Sequence, residues 1–273
     1  MSLFDMFFKK KKPAPMPGVT ESTFECVREG LTIRGTEYRP AGENLPVAIV
    51  SHGFMGFQDT VRHYCRELAS VGYATYCFDF CGGSAPGKGA SDGASTDMSV
   101  LTEVKDLEAV IAYAKALPYT SDTLLLMGCS QGGFVSALVA AKGVPEVDKL
   151  VLFYPALCIP DDARAGKMLF AKFDPNNIPD VINCGPMKLG GCYPSAVINM
   201  DPYAEISPYQ GPVLLIHGTK DRIVNVDYAH NAAKAYEASK PGRLQLCIIP
   251  DGAHGFNKKH DAYAIEQLRN FAK

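Results

Sequence analysis

The sequence predicts a doubly wound α/β domain with a mostly parallel sheet. Three observations carry that expectation. Short continuous apolar runs recur along the chain, helical patterns separate them, and one glycine-flanked serine stands where an apolar run meets a helical pattern. Continuous apolar runs suit parallel strands covered on both faces, and strand–helix alternation suits a layered α/β architecture.

The elements follow in order. Thr23–Arg28 and Leu31–Tyr38, broken at Glu29-Gly30, read as an antiparallel hairpin. Val47–Ser51, Ala74–Phe78, Leu124–Met127, Leu150–Tyr154, Val213–His217 and Leu246–Ile249 read as buried strands. Helical patterns occupy Thr60–Val71, Met98–Leu117, Gly132–Ala141, Val226–Ser239 and Ala262–Phe271. The rhythm breaks from Pro155 to Pro212, where Pro, Gly and Asn are frequent. A structureless loop of that length is improbable in a compact domain. The interval, about residues 156–210, is therefore expected to be a cap inserted after the sixth strand. The expected organisation is a flexible tail over residues 1–20 and a single domain over residues 21–273.

Composition narrows the function. The 273 residues carry 27 Lys+Arg against 29 Asp+Glu, a formal net charge of −2. That balance lacks the basic excess a general nucleic-acid binder needs. No apolar run approaches the roughly 18 residues of a membrane span. The nine cysteines are scattered without a C-x-x-C pair, mostly in apolar stretches. Such usage reads as reduced, buried thiols, and a cytoplasmic location is expected. The N-terminus puts its apolar residues first and Lys9–Lys12 second, the reverse of a secretory signal. It is expected to be a solvated tail, with weak association to a membrane surface as the sharper alternative.

The strongest chemical signal is Gly128-Cys129-Ser130-Gln131-Gly132, a G-x-S-x-G directly after an apolar run and directly before a helical one. That context is what a nucleophile elbow requires. A serine hydroxyl is a weak nucleophile at neutral pH, so it needs a base, and the base needs an orienting acid. In this arrangement the acid and then the histidine follow the serine in the chain. Of six histidines, His52 and His63 precede Ser130, and His217 precedes the expected acid. His230 lies within a helical pattern, and His260 stands beside Lys258 and Lys259. His254, in a turn-rich loop after the last strand, is the expected base. Asp221, four residues past an apolar run, is the expected acid; Asp161 and Asp162 are alternatives after the preceding strand. Ser51-His52-Gly53-Phe54-Met55-Gly56 supplies a loop whose Phe54 N–H, with that of Gln131, is expected to hold an oxyanion. His52 is expected to brace that loop. Gly82–Gly89 resembles a phosphate-binding loop, but its last position is Gly89 where Ser or Thr would ligate magnesium. It reads as a surface loop.

Asp79-Phe80-x-Gly82, Ser91-Asp92-Gly93, Gly128-x-Ser130-Gln131-Gly132-Gly133, His217-Gly218-Thr219-x-Asp221 and Gly252-Ala-His254 together resemble the α/β-hydrolase superfamily. Within it the chain resembles the bacterial cinnamoyl/feruloyl esterases, from about Leu31 to the C-terminus. Asp161-Asp162-Ala-x-x-Gly166, Asn177-Ile-Pro-Asp180 and Leu189-Gly-Gly-x-Tyr193 resemble segments of those esterases' insertions. The resemblance implies an α/β-hydrolase fold and hydrolysis of hydroxycinnamate esters through an acyl-enzyme. It also implies that Asp162 and Tyr193 contact the phenolic end of the substrate. Leu169 stands where some members have a glutamine that assists there. A short-chain carboxylesterase, a monoacylglycerol lipase or a serine peptidase of the same fold is the alternative. No metal or organic cofactor is expected, and the partner is a small ester.

Overall fold

A strand whose side chains are all apolar is stable only with both faces covered, and alternate residues of the central strands enter two separate cores. In the computed structural model, residues 14–144 and 146–273 are described; the expectation of a mobile tail falls mainly on residues outside them. Ile49, Leu126, Leu152 and Leu215 face one core, while Ala48, Leu125, Val151 and Leu214 face the other. This is the period-2 alternation of a pleated strand.

The sheet has eight strands: β1 (Val19–Arg28), β2 (Leu31–Pro40), β3 (Leu45–Ser51), β4 (Ala74–Phe78), β5 (Thr120–Cys129), β6 (Lys149–Phe153), β11 (Val213–Gly218) and β12 (Leu244–Ile249). Their order is β1-β2-β4-β3-β5-β6-β11-β12. β1 with β2 and β2 with β4 are antiparallel; the remaining pairs are parallel. The hairpin strand starts earlier than the sequence suggests, because Val19 already pairs with Pro40. The expected boundary near residue 20 therefore falls inside β1.

Among the described residues, five longer helices flank the sheet. α1 (Gln58–Ala69) and α8 (Lys258–Ala272) cover one face with Val61, Leu68, Ala264 and Leu268. α2 (Val100–Lys115), α3 (Gln131–Lys142) and α7 (Asp227–Ser239) cover the other with Leu107, Ile111, Phe134 and Tyr236. Local chemistry sets their starts. Ser99 and Thr102 exchange hydrogen bonds as a capping box at α2. Asn257 Oδ1 accepts from the N–H groups of Lys259 and His260, so α8 opens earlier than its apolar pattern suggests.

Between β6 and β11 lie the short elements of the expected insertion. They are α4 (Ile159–Arg164), the hairpins β7 (Lys167–Met168)–β8 (Ala171–Lys172) and β9 (Val181–Cys184)–β10 (Met187–Gly190), α5 (Cys192–Ser195) and α6 (Pro202–Ile206). The glycine-rich segment after β4 forms turns, with Ala90 N–H donating to Asp79 Oδ2 at 2.8 Å. The next helix, α2, begins only at Val100, so no helix N-terminus opens at that loop.

The packing gives a first expected result. Leu126 is fully buried at the centre of β5. Leu126→Ala should lower unfolding stability by about 2–5 kcal/mol, read from urea midpoints. A loss under about 1 kcal/mol would contradict this account of the core.

Candidate active site

β5 ends at Cys129 and α3 begins at Gln131, leaving Ser130 as the whole of the turn between them. Its φ of 54° and ψ of −121° are unfavourable for a residue with a Cβ. Such strain costs on the order of 1–3 kcal/mol and persists only where surroundings enforce it. They do so here: Ser130 N–H donates to Phe153 O at 2.9 Å, and Ser130 O accepts from the N–H groups of Gly133, Phe134 and Ala156. A Cβ on Gly128 would collide with the Gly132 carbonyl, and one on Gly132 with the His52 carbonyl. The two glycines of the motif are thus demanded by close backbone approach.

The loops after β11 and β12 bring Asp221 and His254 to this serine. His254 Nε2 lies 3.0 Å from Ser130 Oγ, and His254 Nδ1 lies 2.7 Å from Asp221 Oδ2. The loops are locked together by Lys220 N–H on Gly252 O and Asp251 N–H on the Thr219 hydroxyl. Asp221 Oδ1 accepts from the N–H groups of Ile223 and Val224, each at 2.9 Å. Burial alone would raise the Asp221 carboxyl. Hydrogen bonds from His217, His254 and Val224 N–H outweigh burial and hold it well below the usual carboxylate range.

His217 is a participant that the sequence reading passed over. Its Nε2 lies 2.9 Å from Val224 O and 3.2 Å from Asp221 Oδ2. A carbonyl only accepts, so Nε2 carries the hydrogen and shares it with the carboxylate. The H-G-T-x-D spacing held this signal, since a histidine at the end of β11 is four residues from Asp221. The alternative acids lie elsewhere. Asp161 is bonded to Arg164 at 2.6 Å and to the Tyr228 hydroxyl at 2.7 Å, whereas Asp162 lines the pocket described below.

The loop after β3 presses on the serine from the other side. A Cβ on Gly53 would sit 2.9 Å from Ser130 Cβ and 3.5 Å from Ser130 Oγ. His52 is fully buried; its Nδ1–H donates to Gly53 O at 2.8 Å and its Nε2 accepts from Phe80 N–H at 3.1 Å. Burial lowers the His52 pKa, and this tautomer braces the loop carrying Phe54. Gln131 is the first residue of α3, so its N–H has no intrahelical acceptor.

A mostly apolar pocket opens beside Ser130 under the insertion. Phe54, Ile159, Met168, Leu189 and Ile223 wall it, and Leu169 also lines it. Asp162 and Tyr193 are its polar members from the insertion. Burial raises the Asp162 carboxyl, opposed by the neighbouring Cys158 thiol and by Lys167. The Tyr193 ring meets Phe54 edge-on at 5.9 Å, and its hydroxyl donates to Gln131 Oε1. Gln131 Nε2 in turn donates to Glu103 Oε2 at 2.7 Å. Burial pushes the Glu103 carboxyl well above its ordinary value, with the Gln131 amide opposing. Nothing in the sequence pattern singles out Glu103, which reads there as one more residue of the Met98–Leu117 helical pattern.

Carboxymethylenebutenolidases of Pseudomonas putida and Pseudomonas knackmussii are each 31% identical over 136 residues, 46% of this chain. The matched region spans 57% of those curated relatives' length. Est1E from Butyrivibrio proteoclasticus, solved with ferulic acid bound, matches at a TM-score of 0.82 and 28% identity, covering 91% of this chain and 97% of that one. DcsB, solved in complex with its substrate analogue, matches at a TM-score of 0.72 and 19% identity, over 93% of this chain and 98% of that one, and shares the fold. The fold is that of the α/β hydrolases. Residues 33–270, which include the elbow and both loops that meet at it, match the dienelactone hydrolase family, and the chain belongs to that family.

Proposed function

We propose that this protein is a serine esterase working through an acyl-enzyme, and that hydroxycinnamate esters are its substrates. The observation that carries the reading is the continuous chain Ser130 Oγ, His254, Asp221, with hydrogen bonds of 3.0 and 2.7 Å. Ser130 Oγ attacks the ester carbonyl while His254 Nε2 takes its proton. Asp221 holds the imidazole with Nδ1–H toward the carboxylate and stabilises the imidazolium. The N–H groups of Phe54 and Gln131 receive the tetrahedral oxyanion. The imidazolium gives its proton to the leaving alcohol, and the acyl-enzyme remains. Water, activated by the same histidine, then releases the acid and restores Ser130. Among the described residues, no cluster of three or more His, Cys, Asp or Glu is arranged to hold a metal ion, and no helix is long and apolar enough to cross a membrane.

The substrate class rests on the pocket. Apolar walls and two aromatic rings, Phe54 and Tyr193, suit a flat aromatic acyl group. Asp162 is the acceptor for its phenolic hydroxyl, and Tyr193, whose own hydrogen is given to Gln131, contributes its ring. Leu169 in the lining favours a second reading, a short-chain aliphatic ester. Turnover of methyl ferulate, p-nitrophenyl butyrate and a monoacylglycerol separates the two. Methyl ferulate should give the highest kcat/KM; preference for the butyrate or the glyceride would remove the hydroxycinnamate assignment.

Asp162 offers the finer test. A site built to bond a hydroxyl leaves a buried group unpaired when that bond is lost, at about 1–3 kcal/mol. Asp162→Ala should therefore lower kcat/KM for methyl ferulate by roughly 5- to 100-fold, while p-nitrophenyl acetate hydrolysis stays nearly unchanged. Equal losses on both substrates would mean that Asp162 supports the cap and not the substrate.

A further inference from the structure

The Gln131 side chain is buried, although the chemistry asks only for its backbone N–H. Its carboxamide is held at both ends. Nε2 donates to Glu103 Oε2 at 2.7 Å, and Oε1 accepts from the Tyr193 hydroxyl. The two partners come from separate layers. Glu103 sits in the first turn of α2, whose start is fixed by the Ser99–Thr102 capping box, and Tyr193 sits on α5 of the insertion. We propose that Glu103 and Tyr193 are positioning residues that clamp the Gln131 side chain between the α/β body and the cap, fixing the aim of the Gln131 N–H at the oxyanion. This rests on the serine-esterase reading and deepens it.

Three physical arguments support the clamp. First, an oxyanion donor stabilises the transition state only if it is aimed before charge develops. The Gln131 peptide needs outside help, because it follows a residue at positive φ and its N–H has no intrahelical acceptor. Second, a buried carboxyl is costly unless it makes a directed hydrogen bond. Glu103 is 1% exposed, and a Cβ on Gly83 would lie 2.6 Å from its Oε1, so the loop after β4 packs tightly over it. An apolar residue would fill that space at less cost; what Glu103 adds is a fixed acceptor for Gln131 Nε2. Burial biases this carboxyl toward its neutral form, which a glutamine imitates. Third, Tyr193 belongs to the cap that walls the pocket. The acyl pocket and the oxyanion donor are thereby joined through a single side chain, so cap placement and chemistry are coupled.

The test compares Glu103→Ala, Glu103→Gln and Tyr193→Phe with wild type and Ser130→Ala. For each, kcat and KM on p-nitrophenyl acetate are measured with the inhibition constant of a trifluoromethyl ketone, which forms a tetrahedral oxyanion on the serine. Removing a whole oxyanion donor costs about 10²–10³ in kcat, so a misaimed donor should cost roughly 10- to 100-fold. Glu103→Ala and Tyr193→Phe should each lower kcat by about that factor and weaken the ketone in parallel, with KM within about twofold. Glu103→Gln, which retains an acceptor, should stay within about threefold of wild type. Wild-type kcat in folded Tyr193→Phe or Glu103→Ala would overturn the clamp, as would a Glu103→Gln variant as slow as Tyr193→Phe. A loss confined to KM would overturn it too. If Glu103→Ala does not fold, the Tyr193→Phe and Glu103→Gln pair decides alone. Ser130→Ala separates the two levels: activity there removes the esterase reading, whereas an inactive Ser130→Ala beside a fully active Tyr193→Phe removes only the clamp.

Discussion

Ser130→Ala is expected to lower kcat for ester hydrolysis by about 10⁶ while leaving the fold intact. The size follows from the proposed chemistry. Without Oγ no acyl-enzyme forms, and His254 has no proton to take at the start of the reaction. What remains is slow attack by water on an ester held near two N–H donors. The fold should survive because Ser130 is anchored through its backbone: its N–H bonds Phe153 O, and its carbonyl accepts from Gly133, Phe134 and Ala156. Alanine keeps every one of those bonds. Steady-state turnover on p-nitrophenyl acetate and a thermal melt check both halves. Substantial turnover in a correctly folded variant would mean that another residue is the nucleophile.

Asp221→Asn is expected to cost on the order of 10⁴ in kcat. The carboxylate accepts from His254 Nδ1–H, from His217 Nε2–H and from two backbone N–H groups. An asparagine can present an amide N–H to His254 Nδ1, which favours the tautomer with hydrogen on Nε2. That hydrogen then faces Ser130 Oγ, where a lone pair is needed. Asp161→Asn and Asp162→Asn should retain most turnover on a small activated ester. A second signature is thermodynamic. Asp221 is held below its unfolded value of about 3.9. Its ionisation therefore stabilises the fold above that value, and the contribution is lost as pH falls toward the folded value. The stability deficit of Asp221→Asn should be full at neutral pH and should narrow below about pH 4. A deficit that is constant with pH would contradict the buried ionised carboxylate.

The strands and the three residues that meet at the elbow were legible because each is written locally. Continuous apolar runs mark buried strands, and G-x-S-x-G, H-G-T-x-D and G-x-H mark the turns that end them. The boundaries were less so. Val19 opens β1 although no alternating pattern marks it, since its partner is the backbone of Pro40 and not a side chain. Asn257 starts α8 by capping, which apolar periodicity does not register. The insertion was legible as an interval but not as two hairpins and three short helices, because strands of two to four residues leave no periodicity to read. The polar connections were hidden for a different reason. His217 shares Asp221 with His254, and Glu103 meets Gln131 from another helix, so their roles exist only once distant segments pack. Tyr193 shows the same limit. Its hydroxyl bonds to Gln131 across the cap, a contact that no local pattern marks.

The most direct test of the esterase account is active-site labelling with a serine-directed fluorophosphonate, followed by peptide mass mapping. One label per chain is expected, on Ser130, with labelling abolished in Ser130→Ala and strongly slowed in His254→Ala. A label on any other residue, or labelling of Ser130 that proceeds unchanged without His254, would contradict it.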